Sequence, residues 1–345
     1  MIRTSNRKKP LIFITMGDPS GIGPEVIVKS LARPEIKDLA VFAVVADSGV
    51  IERSISAITP GLPFIKHRAD IRGNDVLLDE GAVNIIDPGP VLTGISFGVP
   101  GDAGSEKALV CLDAAVDMIR NYSPDVLKAL VTAPLNKEMT ARVSPGFIGH
   151  TEYLQQAYSS PRVTMVMAGR HMSVVPVTRH IPLRDVAAQL TAELLEGTIA
   201  QVIENRALIS GKDDAVIGVS ALNPHGGEGG KIGREEIDII APVVRKMKKI
   251  YADIDGPVPA DVIFYKAFKK KVDIVVAMYH DQCLSPFKMV DFDTGVNMTL
   301  GLGHVRTSPD HGTAYDIAGK GKASPESMEQ AIRAAVRAVG SRAKK

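Results

Sequence analysis

The sequence predicts an α/β protein of two domains, each built on a mostly parallel sheet covered by helices on both faces. Three observations carry this. Short apolar runs alternate along the chain with stretches of helical periodicity. The runs are continuously apolar, as in strands buried on both faces, and do not alternate with polar residues. The chain has 345 residues, too long for one small core and suited to two domains of about 150 residues each.

The elements follow in order. A basic tail precedes "LIFITM", read as a buried first strand; its apolar run is shorter than the ~7–15 residues of a secretion signal. "GPEVIVKSLARPEI" places Val26, Ile27, Leu31 and Ile36 on one helix face. "LAVFAVVAD" is the second strand. "SEKALVCLDAAVDMIR" is a helix, with apolar residues at three- and four-residue spacing. "VLKALVTAP" is a strand ending in a loop, and "VTMVMAG" and "MSVVPVT" are two more strands. "LRDVAAQLTAELLEGTIAQVIEN" reads as one long amphipathic helix. "DAVIGVSAL" is a strand, "REEIDIIAPVVRKMKKI" a helix, "VDIVVAMYH" a strand and "PESMEQAIRAAVRAV" a closing helix. No internal repeat or long linker interrupts them.

Hydrophobic residues make up 45% and charged residues 23%, and the formal charge is +2. That balance gives no reason to expect a nucleic-acid or anionic-membrane partner. The runs "RKMKK" and "KAFKKK" read as solvated helix faces, with no aromatic residues interleaved for base stacking. No stretch approaches the ~20 apolar residues of a membrane span. Cys111 and Cys283 lack metal-ligand spacing, and the expectation is two free thiols in a reducing cytoplasm.

Ligands of such sheets bind beyond the carboxyl ends of the strands. "SVVPVT" runs into Arg179-His180, "VIGVSAL" into "NPH" with His225, and "VDIVVAMY" into His280-Asp281. Three strands thus deliver a histidine to one edge, a set that suits a divalent metal with an open position. The alternative is that each is a hydrogen-bonded surface histidine, and no HExxH or CxxC spacing decides between them. His67, His171 and His304 have no comparable setting and are read as structural.

Other polar groups sit in small-residue loops. "GDPSGIGPE" opens a helix but is neither GxGxxG nor a P-loop. "TAPLNK" ends a strand. "GHTEY" offers His150 and Thr151 just before a helix. Lys288, Asn297 and Arg306, together with a helix N-terminus, would make a phosphate cradle.

These residues lie in motifs that together resemble the 4-hydroxythreonine-4-phosphate dehydrogenase family of vitamin B6 biosynthesis: "TMGDPSGIGPEV", "TAPLNKE", "GHTEYL", "NPHGGEGGKIGREEID", "GPVPAD", "MYHDQ", "GVNMTLGL" and "RTSPDHGTAYDIAGKG". They occur in order from about residue 11 to residue 335. The resemblance implies a fold like that of the isopropylmalate and isocitrate dehydrogenases, two α/β/α domains with the active site in the cleft between them. Residues 1–135 and 300–345 would form the cofactor-side domain, and 136–299 the metal, substrate and dimer side. It implies a cytoplasmic homodimer whose site is shared across the interface. It assigns a divalent metal to His180, His225 and His280, zinc first, with magnesium, cobalt or manganese as alternatives. It assigns a small phosphorylated amino-acid substrate to His150, Thr151, Lys288, Asn297 and Arg306.

A second likeness is to the "HGSAPDIAGKG" loop that grips adenosine in isopropylmalate dehydrogenases. It would put His311 at the adenine and Asp316 near the ribose. A carboxylate there favours NAD over NADP. The implied reaction oxidises and decarboxylates 4-phosphooxy-L-threonine to 3-amino-2-oxopropyl phosphate. The general base is open among Lys288, Asp261 and Asp281, and Asp281 reads equally as orienting the adjacent His280. Gly226, Cys283, Gly303 and His304 depart from the family pattern near this site. The rival readings are a paralogous 4-phospho-D-threonate or 4-phospho-D-erythronate dehydrogenase, a dihydrodiol dehydrogenase and a zinc hydrolase.

Overall fold

The computed structural model describes residues 9–68 and 78–342, and the basic tail at 1–8 lies outside them. The strands in chain order are β1 (Leu11–Thr15), β2 (Val41–Val45), β3 (Phe64–Arg68), β4 (Val83–Asp87), β5 (Lys128–Thr132), β6 (Thr164–Ala168), β7 (Ser173–Pro176), β8 (Ile217–Ser220), β9 (Ile254–Val258), β10 (Ile274–Ala277), β11 (Val296–Leu300) and β12 (Val305–Pro309). The chain groups into two compact units, residues 1–161 with 302–345, and residues 162–301. The fold is mixed α/β, as the alternating runs predict.

In the first unit the strand order is β3-β4-β2-β1-β5-β12, and every pairing is parallel. Leu11, Ile12, Phe13 and Ile14 are all fully buried. Neighbours of opposite parity can both be buried only when both sheet faces are covered. Helices Gly23–Leu31, Ser48–Ile58, Asp102–Asn121 and Glu326–Arg342 belong to this unit. The helix expected over 23–36 stops at Leu31. Arg33 is extended, with φ −80° and ψ 123°, and Pro34 opens a separate short helix, Pro34–Lys37, because the residue before a proline disfavours helical backbone. Order reverses between β1 and β5: the chain moves outward to β2 on one side and returns to β5 on the other. That switch point is where α/β sheets open a crevice at their carboxyl edge.

In the second unit the order is β11-β6-β7-β10-β8-β9. β11–β6 and β6–β7 are antiparallel, whereas β7, β10, β8 and β9 run parallel. The single helix expected over 183–205 is broken. Thr191 is extended and its hydroxyl accepts a hydrogen bond from the Leu194 amide at 3.1 Å, so it caps a new helix, Ala192–Ser210, instead of continuing the old one.

Residues 136–161, placed by sequence in the second domain, group with the first unit. Tyr153 donates to Asp113 at 2.7 Å and Arg142 to Asp102 at 3.2 Å, tying helices His150–Ala157 and Lys137–Val143 to helix Asp102–Asn121. Among the described residues no helix is long and apolar enough to cross a membrane.

Candidate functional site

Sheet order in the second unit decides what becomes of the three strand-end histidines. β7, β10 and β8 are adjacent and parallel, so the segments bearing His180, His280 and His225 leave the same edge side by side. The His180 and His280 rings lie 5.3 Å apart between centroids. His280 Nδ1 is 2.7 Å from Asp281 Oδ1. A proton on Nδ1, shared with that carboxylate, would leave the Nε2 lone pair free, the tautomer a metal ligand needs, and Asp281 is placed to orient His280. Among the described residues no three His, Cys, Asp or Glu side chains stand close enough to form a metal cage. The donor set fits a borderline divalent cation in kind, with two imidazoles paired and the third on the neighbouring strand end.

The third arm has unusual backbone. His225, Gly226, Gly227, Glu228 and Gly229 all have positive φ, from 44° to 77°. For His225 and Glu228 the left-handed conformation costs about 1–2 kcal/mol each, and strain of this kind collects at functional sites. Glycines meet most of the requirement, which is why this strand ends in residues with almost no side chain. At Gly227 there is a second reason: a Cβ would stand 2.7 Å from both Glu236 Oε2 and the Gly233 carbonyl oxygen. Glu236 is buried, and its Oε1 accepts from the amides of Leu222 and Asn223, both at 2.8 Å. Its Oε2 accepts from the Asn223 side chain at 2.9 Å. The turn is thus gripped by one carboxylate that the sequence reading missed. The motif "NPHGGEGGKIGREE" held the signal, an acidic pair 12 and 13 residues past the asparagine.

A positively charged corner forms in the first unit. Arg306, on β12, is buried, and its Nη2 donates to Thr132 Oγ1 at 2.6 Å on neighbouring β5. Burial lowers its pKa to about 10, while the Glu152 carboxylate acts in the opposite sense. His150 and Thr151 form the first turn of helix His150–Ala157. Burial, followed by the charges of Arg306 and Lys137, holds the His150 imidazole well below its usual range, so it is neutral at pH 7. A buried guanidinium, a neutral imidazole and a helix N-terminus suit an oxyanion. Lys137 and Thr132 join the corner although the sequence reading did not select them; both sit in or beside the "TAPLNK" strand end.

At the switch point of the same unit three loops interlock. The Asp18 amide bonds the Pro134 carbonyl at 3.0 Å, and the Ile22 amide bonds the Thr313 carbonyl at 2.9 Å. A Cβ on Gly17, φ +70°, would run into the Pro134 carbonyl oxygen. Tyr315 donates to buried Asp18 at 2.6 Å; burial and then that bond push the phenol up to about 12. His311 Nδ1 lies 3.0 Å from the Gly312 carbonyl, and its Nε2 is a buried atom with no hydrogen-bond partner among the described residues. Asp316 is exposed. The helix opened by "GDPSGIGPE" has its first turn occupied by Glu25, which accepts from the Ala323 amide at 2.9 Å. That loop serves to dock the 311–323 segment.

Of the remaining candidates, Lys288 lies on helix His280–Asp291 with its ammonium 5.6 Å from the Phe292 ring centroid. Asn297, on β11, has a buried Oδ1 with no hydrogen-bond partner among the described residues. Asp261 is exposed in the first turn of helix Ala260–Phe268. His150, Thr151, Arg306, His311 and Asp316 fall in the first unit, and His180, His225, Asp261, His280, Asp281, Lys288 and Asn297 in the second. The unusual His304 is buried, its ring 4.2 Å from that of Tyr158. Cys283 is fully buried, and burial pushes its thiol up, so it is inert packing. Gly226 is left-handed with open space around it.

The fold is of the mixed α/β class, and the family and relatives it matches are dehydrogenases. The family model described as "Pyridoxal phosphate biosynthetic protein PdxA" matches residues 38–335, and the chain belongs to that family. It is 40% identical over 341 residues to the 4-hydroxythreonine-4-phosphate dehydrogenase of Desulforapulum autotrophicum, covering 96% of each chain. It is 38% identical to the D-threonate 4-phosphate dehydrogenase of Cupriavidus necator, covering 94% of this chain and 96% of the other. The crystal structure of the 4-hydroxythreonine-4-phosphate dehydrogenase of Klebsiella pneumoniae is similar with a TM-score of 0.82 and 34% identity, covering 96% of this chain and all of that one.

Proposed function

We propose that the protein oxidises and decarboxylates 4-phosphooxy-L-threonine to 3-amino-2-oxopropyl phosphate with NAD as hydride acceptor, in pyridoxal phosphate biosynthesis. The observation that carries this reading is the buried Arg306 beside neutral His150 at a helix N-terminus, an arrangement suited to a phosphate group, in a chain of this family. Thr151, Lys288 and Asn297 complete the substrate contacts in this reading. A divalent cation, zinc first, would be held by His180, His225 and His280 and would supply Lewis acidity toward the substrate hydroxyl. Asp281 fixes the His280 tautomer. Lys288 or Asp261 takes the hydroxyl proton, so that the hydride can leave the same carbon. The resulting β-keto acid loses carbon dioxide, and a proton returns to the carbon it leaves.

His311 and Asp316 hold the dinucleotide in this reading. The unpartnered Nε2 of His311 at the switch point suits an amino donor of adenine, and the exposed Asp316 carboxylate suits a free 2′-hydroxyl and so favours NAD over NADP. The working form in this reading is a homodimer in the cytoplasm; the two buried free thiols bear on the compartment alone and suit a reducing one.

The test is NADH formation at 340 nm with 4-phosphooxy-L-threonine, beside 4-phospho-D-threonate, with and without a chelator. Chelator-sensitive turnover that favours the first substrate is expected. Preference for the second would move the protein to the paralogous activity named for the Cupriavidus relative. No turnover of either by metal-replete enzyme would overturn the reading.

A further inference from the structure

The carboxyl edge of the second unit contains a side chain doing the work of backbone. β10 and β8 pair in parallel register, Ile274 with Ile217, Val275 with Gly218 and Val276 with Val219, and there the ladder ends. Continued by two residues, that register would set Met278 opposite Ala221. Gln282 stands at that level. Its Oε1 accepts from the Met278 amide at 2.7 Å, and its Nε2 donates to the Ala221 carbonyl at 2.8 Å. The carboxamide is buried and spends one acceptor and one donor to bridge the two strand ends. It takes the form of an inserted peptide group: the strands stay linked but are held apart by its width.

The residues beyond the bridge are the proposed metal ligands. His280 lies two residues after Met278, and His225 four residues after Ala221. On the other side of β10 the amide and hydroxyl of Thr178 both donate to the Met278 carbonyl, at 3.1 Å and 2.8 Å, two residues before His180. The Met278 backbone is therefore held at its N–H from one side and at its carbonyl from the other. Thr178 draws the His180 arm close to the His280 arm, and Gln282 sets the stand-off of the His225 arm.

We infer that Gln282 is a positioning residue for the three-histidine site. Its carboxamide fixes how far His225 stands from the His180–His280 pair, and hence the affinity of the site for a divalent cation. This rests on the three histidines being the metal ligands. The residue type follows from the geometry: Asn is one methylene too short to reach both groups, a Glu carboxylate has no donor for the Ala221 carbonyl, and Met has neither polar atom.

The test is zinc affinity of the full-length metal-free protein, measured by competition with a chromophoric chelator, so that no turnover is needed. Gln282→Glu, which keeps the shape and the Met278 bond, is expected to weaken zinc binding at least about tenfold, the lower end for losing a partner that orients a ligand. Ile263→Ala, a cavity in the same unit at a fully buried residue and outside the bridge, is the control for general loosening and should bind zinc as the parent does. Parental affinity in Gln282→Glu would overturn the inference, and so would equal losses in the two variants. His280→Ala must also lose zinc. If it does and Gln282→Glu does not, this inference alone fails; if His280→Ala binds zinc normally, the histidine reading fails with it. Should Gln282→Glu not fold, amide hydrogen exchange on the parent decides. Zinc is expected to slow exchange at 278–280 and 222–225 together, and protection of one arm only would refute the coupling.

Discussion

Glu236 makes the most quantitative test of how the His225 arm is held. The side chain is 4% exposed, and one of its oxygens receives two backbone amides, the other the Asn223 side chain. Glu236→Ala leaves the Leu222 and Asn223 amides without that acceptor, whereas the Asn223 side chain keeps Glu235 at 2.7 Å. A hydrogen bond to a charged group contributes about 1.5–3 kcal/mol. Two lost bonds, less the desolvation of a charge that is no longer buried, give a loss of about 3 kcal/mol. Glu236→Gln behaves differently. Its carbonyl oxygen keeps both backbone bonds, but its amide faces the Asn223 amide, donor against donor, so about 1 kcal/mol is lost. At about 2–4 °C per kcal/mol for a unit of this size, the melting temperature should fall by about 6–12 °C for Ala and about 2–4 °C for Gln. Differential scanning calorimetry of the metal-free, full-length chain reads both. An alanine variant within 2 °C of the parent, or a glutamine variant as damaged as alanine, would refute the clamp.

Four further outcomes follow from the same geometry. His180→Ala, His225→Ala and His280→Ala should each abolish turnover and lower zinc retention in dialysed protein, measured by metal analysis; full activity in any one removes that residue from the metal set. Arg306→Ala should raise KM for the phosphorylated substrate far more than it lowers kcat, and steady-state kinetics with an unchanged KM would remove Arg306 from the cradle. His150 titrates well below 6.5 in the folded protein, so between pH 6.5 and that lower value the unfolded chain binds the extra proton and stability falls as pH falls. His150→Asn should flatten that decline when melting temperatures at pH 5 and pH 7.5 are compared, and an identical slope would show that His150 is not its source. Tyr315→Phe removes the bond to Asp18 and should raise KM for NAD about fivefold, the equivalent of about 1 kcal/mol, with kcat nearly kept; an unchanged KM would separate that bond from cofactor binding.

Much of the framework could be read in one dimension. Strands buried on both faces are mostly apolar, so β1, β2, β5, β8 and β10 are visible as apolar runs with only a lysine, a threonine or a serine at their ends, and the residues that leave their carboxyl ends can be counted off directly. His180, His225 and His280 were legible for that reason. Elements with mixed composition were not. β9, "IDGPV", contains glycine and proline, and helix Ser48–Ile58 is short, with Ser48 and Ser54 among its buried residues and its start fixed by the Asp47 carboxylate on the Val50 amide. Thr191 looked like one residue of a long helix because periodicity cannot tell a helical threonine from a capping one; the hydroxyl's partner decides.

What the sequence by itself determined is which residues stand at strand ends and which stretches must be buried, because hydrophobic period and chain connectivity are local properties. What only the tertiary structure decided is adjacency. It placed β10 between β7 and β8, so that three histidines far apart in the chain share one edge. It grouped residues 136–161 with the first unit, where His150 meets the field of Arg306. It also gave Gln282 and Glu236 their work, since each bonds backbone groups whose positions depend on neighbouring segments. A hydrogen bond needs two partners within about 3 Å, and for groups distant in sequence only the folded chain supplies the second.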